Sequence, residues 1–244
     1  MPDTLRPTDS ESPRPAQSLH TPIKRRSFFM YAGATAGVTA LALAGCSKES
    51  ETTAPSINVS LGFGDASVLN YAYALEQLEA AFYAKAVAAT TTVLSTAEKA
   101  VLTNVATHEA IHRDFLQAAI NRDFPGQLLQ TLTFKFDDAT FTDRTRLLTA
   151  AKTFEDLGVA AYNGAGKLFK VPAYVSIAGQ IVSVEARHAA YVRDLLTSGS
   201  FAAIDQVDAT TGLDKQMAPA DVIKIVNTYL DATVVQLDVS TIGQ

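Results

Sequence analysis

The sequence predicts an all-α protein built around a four-helix bundle, with a long crossover between helices 2 and 3 and a short C-terminal helix. Hydrophobic residues make up 48% of the 244 residues and charged residues 18%, which is enough apolar material for a sizeable core. The pattern Glu-x-x-His occurs twice, and a lone Glu precedes each pair by 33 residues in the first half and by 30 in the second. The second half of the predicted bundle therefore repeats the first.

Residues 1–45 have the features of an export signal. The first 27 residues are rich in Pro, Ser, Thr and charge, and Arg25–Arg26 stands just before an apolar stretch, as in bacterial twin-arginine signals. The stretch ends in Leu43–Ala44–Gly45–Cys46, which resembles a lipobox, the site where a bacterial lipoprotein is cut before the cysteine and lipidated on it. An uncleaved membrane anchor is the alternative, since about 18 apolar residues approach the spanning minimum.

Cys46 is the only cysteine in the sequence, which excludes an internal disulfide, an Fe–S cluster and a cysteine-based zinc site. We expect a cell-envelope protein, exported by the twin-arginine route and attached to the membrane by a lipid on Cys46, at the periplasmic or outer face. Without residues 1–45 the chain keeps 15 basic and 22 acidic side chains, a net charge of about −7, which argues against nucleic-acid binding. Residues 46–60 are interpreted as a flexible tether.

Residues 61–200 form the predicted bundle, and the first two helices have clear start signals. Helix 1 begins after Gly64 with Asp65 as its N-cap and ends near Ala89. Helix 2 begins after Ser95, which forms a capping box with Glu98, and runs to about Ile120.

The rest of the chain follows from breaks in the helical pattern. Residues 121–141 are interpreted as the crossover, partly extended at 131–136. Helix 3 runs from near Asp143 to near Phe169, and helix 4 from Pro172, a residue favoured in a first turn, to about Leu196. Residues 201–244 form a C-terminal extension with one short helix, predicted at 219–230, and the last dozen residues have no assignment.

Six side chains on the four long helices are candidate metal ligands. Residues i and i+3 share a face of a helix, so each Glu-x-x-His pair offers one oxygen and one nitrogen to the same point. Two helices with one Glu each and two with Glu-x-x-His form the ligand set of a two-metal site inside a four-helix bundle. Four carboxylates and two neutral imidazoles also balance the charge of two divalent ions. The candidates are Glu76, Glu109, His112, Glu155, Glu185 and His188.

The segments 69–83, 154–165 and 184–190 resemble the ferritin-like domain family of the di-iron carboxylate superfamily, and within it the exported bacterial and desiccation-related branch. The resemblance implies two iron ions, or two manganese ions as the alternative, with Glu109 and Glu185 bridging the metals or binding beside the bridge. The sequence has no Cys-x-x-Cys, so the rubredoxin-type electron relay of rubrerythrins is missing. The lipid tether and long extensions argue against a closed storage cage.

Three assignments stay open at this point. Glu79 competes with Glu76 as the ligand on helix 1, although Tyr83 and Tyr162 each lie seven residues after a lone Glu and so favour Glu76. The two tyrosines are either hydrogen-bond donors or electron relays at the site, or plain core. His108 points about 100° away from Glu109 on a helix, so we expect it on a flank and not at a metal.

The expected function is a dinuclear metal centre that oxidises Fe(II) or handles O₂ or peroxide in stress protection, with ferroxidase, peroxidase or catalase chemistry. The alternative is a non-catalytic, metal-stabilised protein of the envelope or of desiccation protection. The expected partners are metal ions, O₂ or peroxide, the membrane through the lipid on Cys46, and a second copy in a homodimer.

Overall fold

The computed structural model describes residues 57–89, 93–231 and 234–244. The predicted export signal, Cys46 and residues 46–56 of the predicted tether lie outside the described residues. Within the described ranges, no helix combines the length and the hydropathy that a membrane-spanning helix needs.

Four long helices form the predicted all-α bundle, which the structure confirms. They are α1 (Gly64–Ala88), α2 (Thr96–Asp123), α3 (Arg144–Ala165) and α4 (Pro172–Leu196). Helix α1 packs mainly along α2, and α3 mainly along α4, so the bundle consists of two helical hairpins. Contacts between α1 and α3 join the two hairpins across the core.

The helix starts show which capping predictions were right. Ser95 accepts a hydrogen bond from the backbone N–H of Glu98, and the Glu98 carboxylate accepts one from Ser95, which confirms the capping box. Asp65 is not the N-cap of α1, which begins at Gly64 after Phe63. Its carboxylate instead accepts hydrogen bonds from the backbone N–H groups of Lys170 and Val171, at 2.7 and 2.9 Å. Those two donors precede α4 and have no helical partner of their own, so Asp65 ties the start of α1 to the start of α4.

The crossover lies along α1 and is held there by two buried amide side chains. Asn70 donates to the carbonyl of Gln127 and accepts from the N–H of Leu129, and Gln77 accepts from the N–H of Leu132. The stretch expected to be partly extended forms one antiparallel bridge, between Phe134 and Leu230. Because the crossover covers the outside of α1, this helix is buried on nearly every side.

The two ends of the described chain meet in a small sheet. The predicted short helix is α5 (Pro219–Asn227). Strand β1 (Ile57–Ser60) pairs in parallel with β2 (Val235–Asp238), and Asn227 anchors β2 by two hydrogen bonds to Leu237. Residues 57–60 are therefore a strand and not part of a flexible tether. The prediction was wrong there because the pairing partner lies at the other end of the sequence, where no local pattern marks it.

Candidate metal centre

One carboxylate from each long helix points into the middle of the bundle. Glu76 lies on α1, Glu109 on α2, Glu155 on α3 and Glu185 on α4, and all four are fully buried. Four buried acids within one core are costly unless something compensates their charge.

The two histidines meet these carboxylates in matching ways. His112 Nδ1 lies 2.9 Å from Glu185 Oε1, 3.4 Å from Glu109 Oε2 and 3.5 Å from Glu76 Oε2. His188 Nδ1 lies 2.8 Å from Glu109 Oε1, 3.5 Å from Glu155 Oε2 and 3.7 Å from Glu185 Oε2. Each histidine therefore approaches the lone Glu of its own hairpin and both Glu residues of the Glu-x-x-His pairs. The two sets of contacts correspond when the two hairpins are exchanged.

The six predicted residues fall into two overlapping groups in which the candidate ligand atoms lie within 4.8 Å of one another. One group is Glu76, Glu109, His112 and Glu185. The other is Glu109, Glu155, Glu185 and His188. Glu109 and Glu185 belong to both groups, so each of them could contact a metal ion held by either group. The structure thus brings together all six side chains that the sequence predicted.

The polar atoms of this cluster lie close together, but most of them form no hydrogen bonds with one another. Both oxygens of Glu109 and of Glu185, and Nδ1 of both histidines, are buried without a hydrogen bond of acceptable geometry among the described residues. One oxygen each of Glu76 and Glu155 shares this state. Buried polar groups are nearly always paired in folded proteins, so these closely spaced atoms without hydrogen bonds form a set that could hold cations. Oxygen donors with one imidazole per ion suit iron or manganese.

Without ions, the cluster balances its charge with protons. Burial, followed by the charge of Glu185, raises the pKa of Glu76 to about 8, and burial raises the pKa of Glu155 well above its usual range. Burial opposes protonation of His112 and His188, but the close carboxylate oxygens outweigh it and raise the pKa of each imidazole to about 12. Burial likewise raises the pKa of Glu185, but the two histidines outweigh it and bring that pKa to about 2. Metal binding would therefore displace several protons.

The family model for the ferritin-like domain matches residues 64–198, which span all four long helices and all six residues of the cluster. The chain belongs to this family. No match was found among curated proteins or among solved structures.

Two tyrosines of this ferritin-like domain cross between the hairpins. The Tyr83 hydroxyl on α1 donates to Glu155 on α3, and the Tyr162 hydroxyl on α3 donates to Glu76 on α1, both at 2.5 Å. Burial, reinforced by the neighbouring carboxylate, raises the pKa of both hydroxyls well above the usual value, so both stay protonated donors. The tyrosines hold the two lone carboxylates in place, and their redox role stays a prediction.

Glu79 is a fifth buried carboxylate in the domain, but it belongs to neither metal group. Its side chain points at α3, where a Cβ on Gly158 would lie 2.8 Å from Glu79 Oε1. Burial, followed by the charge of Glu185, raises its pKa well above the usual value. Of the two acids that competed on helix 1, Glu76 is therefore the one that joins the cluster.

His108 is the residue of the domain whose contact the sequence prediction missed. It lies at the flank of α2, as expected, but its Nδ1 is 2.9 Å from His188 Nε2. The two rings are nearly parallel, with an interplanar angle of 12°. The four-residue spacing of His108 and His112 was the available signal, since such residues lie on the same side of a helix.

An apolar groove of about 250 Å³ opens between α2 and α4, beside His112. The rest of its lining is Ile111, Phe115, Ile177, Gln180, Ile181 and Val184. The His112 side chain is 13% exposed and that of His188 8%, whereas the four carboxylates have no exposed surface, so the groove reaches the cluster at a histidine.

Proposed function

We propose that this ferritin-like protein binds two iron ions, or two manganese ions, and uses them to oxidise Fe(II) or to consume O₂ or peroxide in stress protection. The observation that carries the proposal is that buried, unpaired carboxylate oxygens and two imidazole nitrogens come together in two groups, which share Glu109 and Glu185. Glu76 and His112 would hold one ion and Glu155 and His188 the other, with Glu109 and Glu185 between them. An iron or manganese pair bound there would supply the electron transfer to O₂ or peroxide.

The chain's own residues hold the carboxylates in position and keep bulk water away from them. Tyr83 and Tyr162 hold the lone carboxylates through hydrogen bonds from opposite hairpins. The carboxylates have no exposed surface, so bulk water does not compete for their oxygens. The groove beside His112 is apolar, which suits the passage of a small uncharged molecule such as O₂ or hydrogen peroxide.

One observation favours a non-catalytic role as the second candidate. Each group draws its residues from three helices, and the two groups together join all four. Two ions would therefore crosslink both hairpins and stabilise the fold even without a reaction.

Anaerobic loading with two equivalents of Fe(II), followed by air, separates the two functions. The enzyme should show an absorbance rise in the near ultraviolet and repeated turnover of added Fe(II) or peroxide. A protein that holds its metal but stays colourless and inert would support the structural role. A double variant with Glu109→Gln and Glu185→Gln controls for Fe(II) oxidation in free solution.

We also propose that the protein is exported by the twin-arginine route and anchored by a lipid on Cys46. The support is the sequence pattern alone, with Arg25–Arg26 before an apolar stretch that ends at the only cysteine. Changing Arg25→Lys and Arg26→Lys together should leave the protein inside the cell, which fractionation and immunoblotting would detect; normal export of that variant would contradict the proposal.

A further inference from the structure

The two histidines of the cluster have different surroundings on the side away from the carboxylates. His188 Nε2 lies 2.9 Å from His108 Nδ1, and the planes of the two rings differ by only 12°. His112 instead borders the apolar groove, with Val184 in the same lining. The correspondence between the two halves of the cluster therefore does not extend to the residues behind the two histidines.

The two positions that differ are equivalent in the repeat. His108 immediately precedes Glu109, and Val184 immediately precedes Glu185. His108 on α2 contacts the histidine of α4, while Val184 on α4 lines the same groove as the histidine of α2. The residue before each Glu-x-x-His pair is thus an imidazole on the side of His188 and a side chain without polar atoms on the side of His112.

This difference has a chemical consequence for metal binding. Nδ1 of His188 faces the carboxylates, so a histidine that binds an ion there carries its proton on Nε2. His108 Nδ1 is placed to accept that proton in a hydrogen bond, which fixes both the tautomer and the ring orientation of His188. Loss of such an outer hydrogen bond typically costs about 10–100-fold in metal affinity. Valine cannot supply it to His112.

We propose that the two metal positions are inequivalent and that His108 is a positioning residue that makes the position at His188 the tighter one. The position at His112, beside the groove, fills second and exchanges its ion more readily. This inference rests on the proposed binding of two ions and adds their order of filling.

Anaerobic titration of the full chain with Co(II) against a competing chromophoric chelator tests the order without any turnover. Wild-type protein should bind two ions in two steps separated by about 10-fold or more. His108→Val should weaken the tighter step by about 10–100-fold and leave the other unchanged. Val184→His, the mirror change, should tighten the weaker step.

A conservative variant separates hydrogen bonding from packing. In His108→Asn the side-chain oxygen replaces Nδ1 as the acceptor, so the tight step should return toward the wild-type value. Crystals grown with one equivalent of Co(II) should show anomalous density at the His188 position first. Circular dichroism melting of each variant confirms that it is folded.

Two equal steps in the wild type, or steps that His108→Val leaves unchanged, would overturn the inference while the two-ion site stands. Binding of fewer than two ions by folded wild-type protein would overturn the proposed dinuclear centre itself, and this inference with it. The stoichiometry of the titration thus separates failure of the site from failure of its order.

Discussion

The first hairpin, α1–α2, and the second, α3–α4, match closely at the cluster and diverge around it. The lone carboxylates, the Glu-x-x-His pairs and the crossing tyrosines correspond residue by residue in position and contact. The neighbours differ, since Glu79 corresponds to Gly158 and His108 to Val184. Metal coordination constrains the atoms that meet the ions, whereas the layer around them has only to fill space and satisfy its polar groups. Matched positions should therefore respond alike to substitution, and unmatched positions should not.

The largest effect is expected at the shared carboxylates. Glu109→Gln and Glu185→Gln should each abolish binding of both ions, because both residues belong to both groups. Glu76→Gln and Glu155→Gln should each remove only one ion. Inductively coupled plasma mass spectrometry on dialysed protein gives the metal content per chain. Full metal content in Glu109→Gln and Glu185→Gln would contradict the ligand assignment, and identical losses in all four variants would contradict the shared position.

The close approach of Glu79 to Gly158 predicts that the effect of Gly158→Ala on stability depends on whether Glu79 is present. In Gly158→Ala the new methyl group would lie 2.8 Å from Glu79 Oε1 in a sealed core, so the free energy of unfolding should fall by about 1–3 kcal/mol. In a Glu79→Ala background the same change should cost nothing and gain up to about 1 kcal/mol from helix propensity. Urea unfolding of the metal-free variants measures both; equal costs in the two backgrounds would show that the carboxyl does not occupy this space.

The crossing tyrosines should behave as a matched pair. Tyr83→Phe and Tyr162→Phe each remove one buried hydrogen bond to a lone carboxylate, so each should lower the free energy of unfolding by about 1 kcal/mol. Tyr229→Phe is the control, because burial alone raises the pKa of that hydroxyl. Urea unfolding should give similar losses for the pair and a smaller one for the control. If only one of the two variants lost stability, the two tyrosines would not be equivalent, although their contacts match.

The smallest effect concerns the link between the hairpins at their ends. Arg144 of α3 donates to Glu98 of α2, and this bond outweighs burial and lowers the pKa of Glu98 to about 2. A lowered carboxylate pKa contributes stability above its unfolded value of about 4.3, and that stability is lost as pH falls toward 2. Because Arg144 is partly exposed, the contribution should be only about 0.5 kcal/mol. Unfolding of wild type and Glu98→Gln should differ at pH 7 and converge near pH 2; a difference that persists at pH 2 would exclude this ion pair as the cause.

Local patterns in the sequence were sufficient for the four long helices and for the cluster residues on α2, α3 and α4, and they reduced the choice on α1 to Glu76 or Glu79. A helix repeats its faces every few residues, so Glu-x-x-His and a capping pair such as Ser95 and Glu98 can be recognised within a single turn. The repeat of the two halves then implied that four such faces meet. The family match over residues 64–198 and the geometry of the cluster agree with that inference.

Only the tertiary structure decided the features that join distant parts of the chain. It placed β1 beside β2, turned Asp65 toward the start of α4, and set His108 against His188. It also chose Glu76 over Glu79, because Gly158 leaves a space into which the Glu79 carboxyl turns. Each of these outcomes depends on which element packs opposite, and the spacing of residues along one helix carries no information about its neighbour.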